Sequence, residues 1–102
     1  MFFKRADINS AVEECRNTPG AVLLDVRGAD EYAAGHIAGS VNVPLPAIQT
    51  ARERIAELDT PLFVYCLSGG RSRSAVSALK AMGYTNVTDL GGIRGWRGAV
   101  ER

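Results

Sequence analysis

Val64-Tyr65-Cys66-Leu67-Ser68-Gly69-Gly70-Arg71-Ser72 decides the reading of this chain. Leu62 to Tyr65 is an apolar run of strand length, and Ala75, Val76, Leu79 and Met82 recur at helical spacing after it. The stretch is therefore a strand, a tight loop and a helix. Such a junction aims unpaired backbone N–H groups and the positive end of the helix dipole at one spot, which favours negative charge. Gly69 and Gly70 let the backbone curl without a Cβ in the way. Cys66 stands at the opening of this cup, where N–H dipoles and the guanidinium of Arg71, with Arg73 beyond it, are expected to lower its pKa. Most cysteines at the end of a core strand are inert. The glycines, arginines and serines after Cys66 make a poor apolar plug, so the residues favour a nucleophile.

Working outward, Ala21-Val22-Leu23-Leu24 reads as a strand covered on both faces, ending at Asp25 and Arg27 on the edge where ligands bind in open α/β sheets. Before it, Ile8, Ala11, Val12 and Cys15 have helical spacing, with Ser10 and Glu13 placed as a capping box, and Phe2 to Lys4 suits a short first strand. Cys15 points inward as a small core residue. Ala29 to Ala34 is a helical turn, Val41 to Val43 a strand stopped by Pro44 and Pro46, and Ala47 to Leu58 a helix with Ile48, Ala51, Ile55 and Leu58 on one face. Val87 to Leu90 is the last strand, and a short helix over Ile93 to Arg97 brings Trp96 onto the sheet. Strand and helix alternate, which predicts a parallel sheet with helices on both faces.

The bulk numbers set limits. A chain of 102 residues, 46% hydrophobic, is one domain with one core, residues 1–102. Twelve Lys+Arg against 11 Asp+Glu signal no nucleic-acid or anionic-membrane surface. Two cysteines and one histidine form neither a disulfide framework nor a metal set, so no metal and no cofactor are expected. Met1-Phe2-Phe3 is followed at once by charges, too short an apolar run for a signal peptide or membrane span, so the expected location is cytoplasmic, where a thiolate stays reduced.

The loop pattern Cys-x-x-Gly-x-Arg-Ser resembles the active-site loop of the rhodanese (sulfurtransferase) family. Leu24-Asp25-Val26-Arg27, Glu31-Tyr32, Gly35-His36-Ile37-Ala38-Gly39-Ser40-Val41-Asn42-Val43-Pro44 and Gly91-Gly92-Ile93-Arg94-Gly95-Trp96 match the same family in order along nearly the whole chain. The likeness is to small single-domain bacterial rhodaneses. It implies a rhodanese-like three-layer α/β/α fold with a five-stranded parallel sheet. It also implies a thiosulfate sulfurtransferase, in which Cys66 takes a sulfane sulfur from a small anionic donor as a persulfide and passes it to cyanide, a cellular thiol or a protein acceptor. Leu67, Ser68, Gly69, Gly70, Arg71 and Ser72 are then the substrate-binding loop, and Asp25 and Arg27 either support it or touch substrate. Ser72 is also placed to cap the helix, and Glu31 to pair with Arg27. His36 reads as a hydrogen-bonded structural residue rather than a base. Related phosphatases and arsenate reductases use five residues between Cys and Arg; this chain has four, Leu67 to Gly70, a ring suited to one sulfur atom rather than an oxyanion. The remaining alternatives are a non-catalytic rhodanese-like binding module and a persulfide carrier.

Overall fold

A computed structural model describes residues 7–102. Helix α1 (Ile8–Arg16) leads to β1 (Val22–Asp25), α2 (Ala29–Ala34) and two short strands, β2 (His36–Ile37) and β3 (Val41–Asn42). After α3 (Ala51–Arg54) come β4 (Leu62–Cys66), α4 (Gly70–Ala81), β5 (Val87–Gly92) and β6 (Val100–Glu101). Strands β3, β1, β4 and β5 form one parallel sheet in that order. Among the described residues this sheet has four strands, not five; the first strand expected at Phe2 to Lys4 lies outside them.

The alternation of the central strands builds a core on each face. Leu62, Val64 and Cys66 of β4 pack with Leu24, Ala51, Ile55, Ala75 and Leu79 beneath α3 and α4. Phe63 and Tyr65 point the other way, to Ile8, Val12 and Cys15 of α1. Cys15 is thus a buried core residue, as its helical spacing predicts. Trp96 packs against the α1-side core, with Arg16 stacked over its ring at 5.6 Å.

Local structure departs from expectation in α1 and in the segment 47–58. Asp7, not Ser10, caps α1: its carboxylate accepts the Ser10 N–H at 2.9 Å. The single helix expected over Ala47 to Leu58 is broken. A 3₁₀ segment spans Leu45–Thr50 with a non-helical Ala47, only Ala51–Arg54 is α-helical, and Ile55 is extended. Two prolines fix φ at its start, and at its end tertiary bonds replace the helical ones. The Ile55 carbonyl accepts the Tyr84 hydroxyl at 2.5 Å, and the Leu58 carbonyl accepts the Thr85 N–H at 2.9 Å.

A second sheet, absent from the sequence reading, pairs β2 antiparallel with β6. Among the described residues no helix is long and apolar enough to cross a membrane.

Candidate active site

The carboxyl ends of β1 and β4 lie side by side at the centre of the sheet, with β3 on one flank and β5 on the other. Crossovers leave in opposite directions there, which opens a crevice in sheets of this kind. Cys66, the last residue of β4, is delivered to it. The chain turns at Gly69, whose φ of +110° is a conformation few L side chains adopt, and α4 begins at Gly70. Ser72, expected as the cap, lies within the helix, and Gly69 holds the capping position without a side chain.

The fold brings the loop N–H groups onto the sulfur. Gly69 donates to Cys66 Sγ at 2.9 Å. Burial of Cys66 pushes its thiol pKa up, but hydrogen bonds from the Ser72 hydroxyl and from the N–H groups of Ser72, Gly69 and Ser68 outweigh it, and the thiol ends below its ordinary value. The Ser72 hydroxyl has one proton. Asp89 Oδ1 takes it at 2.7 Å in the resting geometry, with the Gly69 carbonyl 3.0 Å away, so the backbone donors are those committed to the sulfur.

Arg71 has a carboxylate partner that the sequence did not assign to it. Arg71 forms a two-point pair with Glu31, Nη1 to Oε1 at 2.6 Å and Nη2 to Oε2 at 2.9 Å. Glu31 therefore does not make the pair with Arg27 that its spacing proposes. Hydrogen bonds from Arg71, then from the Gly28 N–H, hold the Glu31 carboxyl down to about 2. Arg73 is exposed on the first turn of α4 and lines a cleft of about 380 Å³ with Asp7, Asp89 and the loop residues Ser68, Gly69 and Gly70.

Asp25 and Arg27 form a buried bidentate pair, with Arg27 Nη2 2.7 Å from Asp25 Oδ2. Arg27 also donates to the Gly35 carbonyl at 2.8 Å, and Asn42 donates to the carbonyls of both Asp25 and Arg27. The bonds from Arg27 Nη2 and Asn42 tie β1 to the turn before β2 and to β3. His36 is buried, stacked on Tyr32 at 3.6 Å, with Nδ1 2.8 Å from the Tyr32 carbonyl and Nε2 3.6 Å from Glu101. Among the described residues no cluster of metal-ligating side chains occurs.

Three contributors escaped the sequence reading as parts of the site. Glu31 is one. Asp89 is another: it accepts both the Ser72 hydroxyl and the Gly91 N–H, and so fastens β5 to the start of α4. The third is Gly92, opposite Cys66 in the sheet, where an added Cβ would lie 2.4 Å from the Leu67 carbonyl oxygen. The signal for the last two was the Asp89 to Gly92 run itself, a polar residue and two glycines at a strand end.

The chain is similar to several known proteins. It is 35% identical over 82 residues to the uncharacterized protein YqhL of Bacillus subtilis, covering 79% of this chain and 64% of that protein. It is 31% identical over 96 residues to the adenylyltransferase and sulfurtransferase uba4 of Ogataea parapolymorpha, 93% of this chain but 25% of that one. It therefore spans less than two thirds of the length of either. To a thiosulfate sulfurtransferase GlpE of Pseudomonas entomophila it is 36% identical over 96 residues, 93% of this chain and 85% of that protein. Among solved structures, a rhodanese with anions from E. coli matches with a TM-score of 0.74 at 28% identity, over 80% of this chain and 98% of that one. The rhodanese-like domain family model matches residues 9–99, from α1 to just before β6, and the chain belongs to that family.

Proposed function

We propose that this protein is a sulfurtransferase that carries a sulfane sulfur as a persulfide on Cys66. The observation that carries the reading is the Cys66 sulfur itself, set at a crevice in the sheet, bonded by the Gly69 N–H at 2.9 Å and held below the ordinary thiol pKa. A thiolate is the nucleophile in sulfur exchange, and fixed N–H dipoles stabilise it and the persulfide anion without having to reorganise. In the first half-reaction the thiolate attacks the outer sulfur of thiosulfate. A Cys66 S–S bond forms as the donor's S–S bond breaks, and sulfite leaves with the electron pair. In the second, cyanide or a thiol, free or on a protein, attacks the outer persulfide sulfur and the Cys66 thiolate departs. Asp25 braces the edge of the crevice, both its carboxylate oxygens being taken by Arg27, which in turn holds the Gly35 carbonyl. Leu67 to Ser72 form the sulfur-binding loop. A reducing compartment such as the cytoplasm suits a thiolate that must remain free.

Turnover of thiosulfate and cyanide by two single variants tests the assignment. Cys66→Ser is expected to abolish it, and Cys15→Ser, which changes a core residue under α1, to leave it within about twofold. The opposite pattern would reverse the roles of the two cysteines.

A further inference from the structure

We propose that Glu31 sets the charge selectivity for the sulfur donor: by holding Arg71 in a two-point ion pair it cancels the loop's cation and favours donors with one negative charge over dianions. The inference rests on Cys66 being the group that accepts sulfur. Arg71 closes the cysteine loop, and the charge of the Cys66 thiolate acts on it directly. Its fork is nevertheless filled by Glu31, at 2.6 and 2.9 Å. Glu31 is itself fixed from α2, where Oε1 accepts the Gly28 N–H at 3.0 Å. The pair thus bridges two elements that are 40 positions apart in sequence. Asp25, the other carboxylate acting on Arg71, is consumed by Arg27.

A donor approaching Cys66 past this pair meets a neutral group. The pair sits at the surface, its side chains 38% and 36% exposed, so water keeps it exchangeable and a donor can compete for the guanidinium. A single negative charge is accommodated by the loop N–H dipoles. The second charge of a dianion has no partner unless it displaces Glu31, whose carboxylate repels it meanwhile. Glu31 remains ionised down to about pH 2, so the cancellation persists over the working range.

The test compares thiosulfate, a dianion, with benzenethiosulfonate, a monoanion that gives up its outer sulfur the same way and releases benzenesulfinate. Cyanide is the acceptor, and the whole chain is used. Glu31→Gln keeps the size of the side chain and an oxygen for the Gly28 N–H but removes the charge. It is expected to raise kcat/KM for thiosulfate about fivefold and to move that for benzenethiosulfonate by less than about twofold. Glu31→Asp, which keeps the charge, should retain the parent's donor ratio. Equal falls with both donors, or an unmoved ratio in Glu31→Gln, would make Glu31 a brace only and overturn the inference. Should Glu31→Gln fail to fold, the unmodified protein decides. A cancelled cation predicts a thiosulfate efficiency that changes less than about twofold between roughly 20 and roughly 200 mM salt, and a steep loss contradicts it. Absence of sulfur transfer from either donor in the parent would sink the reading of Cys66 and this inference with it. Transfer with an unmoved ratio sinks the inference alone.

Discussion

Cys66 is one residue from being an unremarkable part of the core. It is 1% exposed and packs with Val64 and Ala75, yet its sulfur receives a backbone N–H, whereas among the described residues none donates to the other buried thiol, Cys15. Burial, chiefly, pushes the Cys15 thiol up to about 11, whereas hydrogen bonds bring Cys66 below its ordinary 9.0. The order of reactivity should follow. Alkylation by iodoacetamide, a neutral reagent, is expected to titrate with a midpoint below 9.0 at Cys66. Ser72→Ala, which removes a hydroxyl whose proton rests on Asp89, should move that midpoint by less than about half a unit, since the backbone donors remain. A midpoint at or above 9.0 in the parent would contradict the hydrogen-bonded cup. At this scale the nucleophile and its glycines were legible, because strand, loop and helix are contiguous in sequence. The partner of Arg71 was not: an i to i+4 rule proposes Arg27 for Glu31, and only the packing of α2 against the loop selects Arg71 instead.

Elements were legible wherever the apolar spacing was regular, as in α1, β1, β4 and α4. The segment 47–58 shows where spacing misleads, since Ile55 and Leu58 reach the core from extended chain once Tyr84 and Thr85 take the carbonyls a helix would have used. Strand β5 runs on to Gly92 through a register shift that leaves Leu90 unpaired between Asp89 and Gly91. This bulge puts the Asp89 carboxylate on Ser72 and lays Gly92 under the cysteine loop. The close approach can be measured. A Cβ at Gly92 would meet Leu67 and Ser68 backbone at 2.4 and 2.9 Å, whereas one at Gly70 would meet nothing within 4 Å. Gly92→Ala should therefore cost about 1–3 kcal/mol by displacing the loop and should depress turnover. Gly70→Ala, in a helical position, should be neutral or stabilising by about 0.5–1 kcal/mol. Denaturant midpoints and turnover of the two variants give the comparison, and a Gly92→Ala protein as stable and active as the parent would refute the close packing.

The whole molecule has two cores on opposite faces of one sheet, and only one of them holds the reactive cysteine. The sequence reading expected a single core, and the alternation of β4 divides it in two. The pairing of β2 with β6 was not legible, because two-residue strands carry too little pattern to be seen and their partners stand far apart in sequence. The α1-side core contains two groups that must keep their protons, Cys15, pushed up to about 11 by burial, and Tyr65, pushed up mainly by burial despite its bonds to Ser40 and Ile37. An acid whose folded pKa is raised holds its proton after the unfolded chain has lost it. Stability should then fall as pH rises from the unfolded thiol value of 9.0 toward about 11. Denaturant midpoints across this range check it. A flat profile would mean that the α1-side core opens to hydroxide without unfolding.

The central claim is that sulfur resides on Cys66, and intact-protein mass spectrometry after incubation with thiosulfate tests it most directly. The account predicts a gain of one sulfur atom in the parent and in Cys15→Ser, none in Cys66→Ser, and loss of the added sulfur on treatment with cyanide. No gain in the parent, or a cyanide-labile gain that survives in Cys66→Ser, would contradict it.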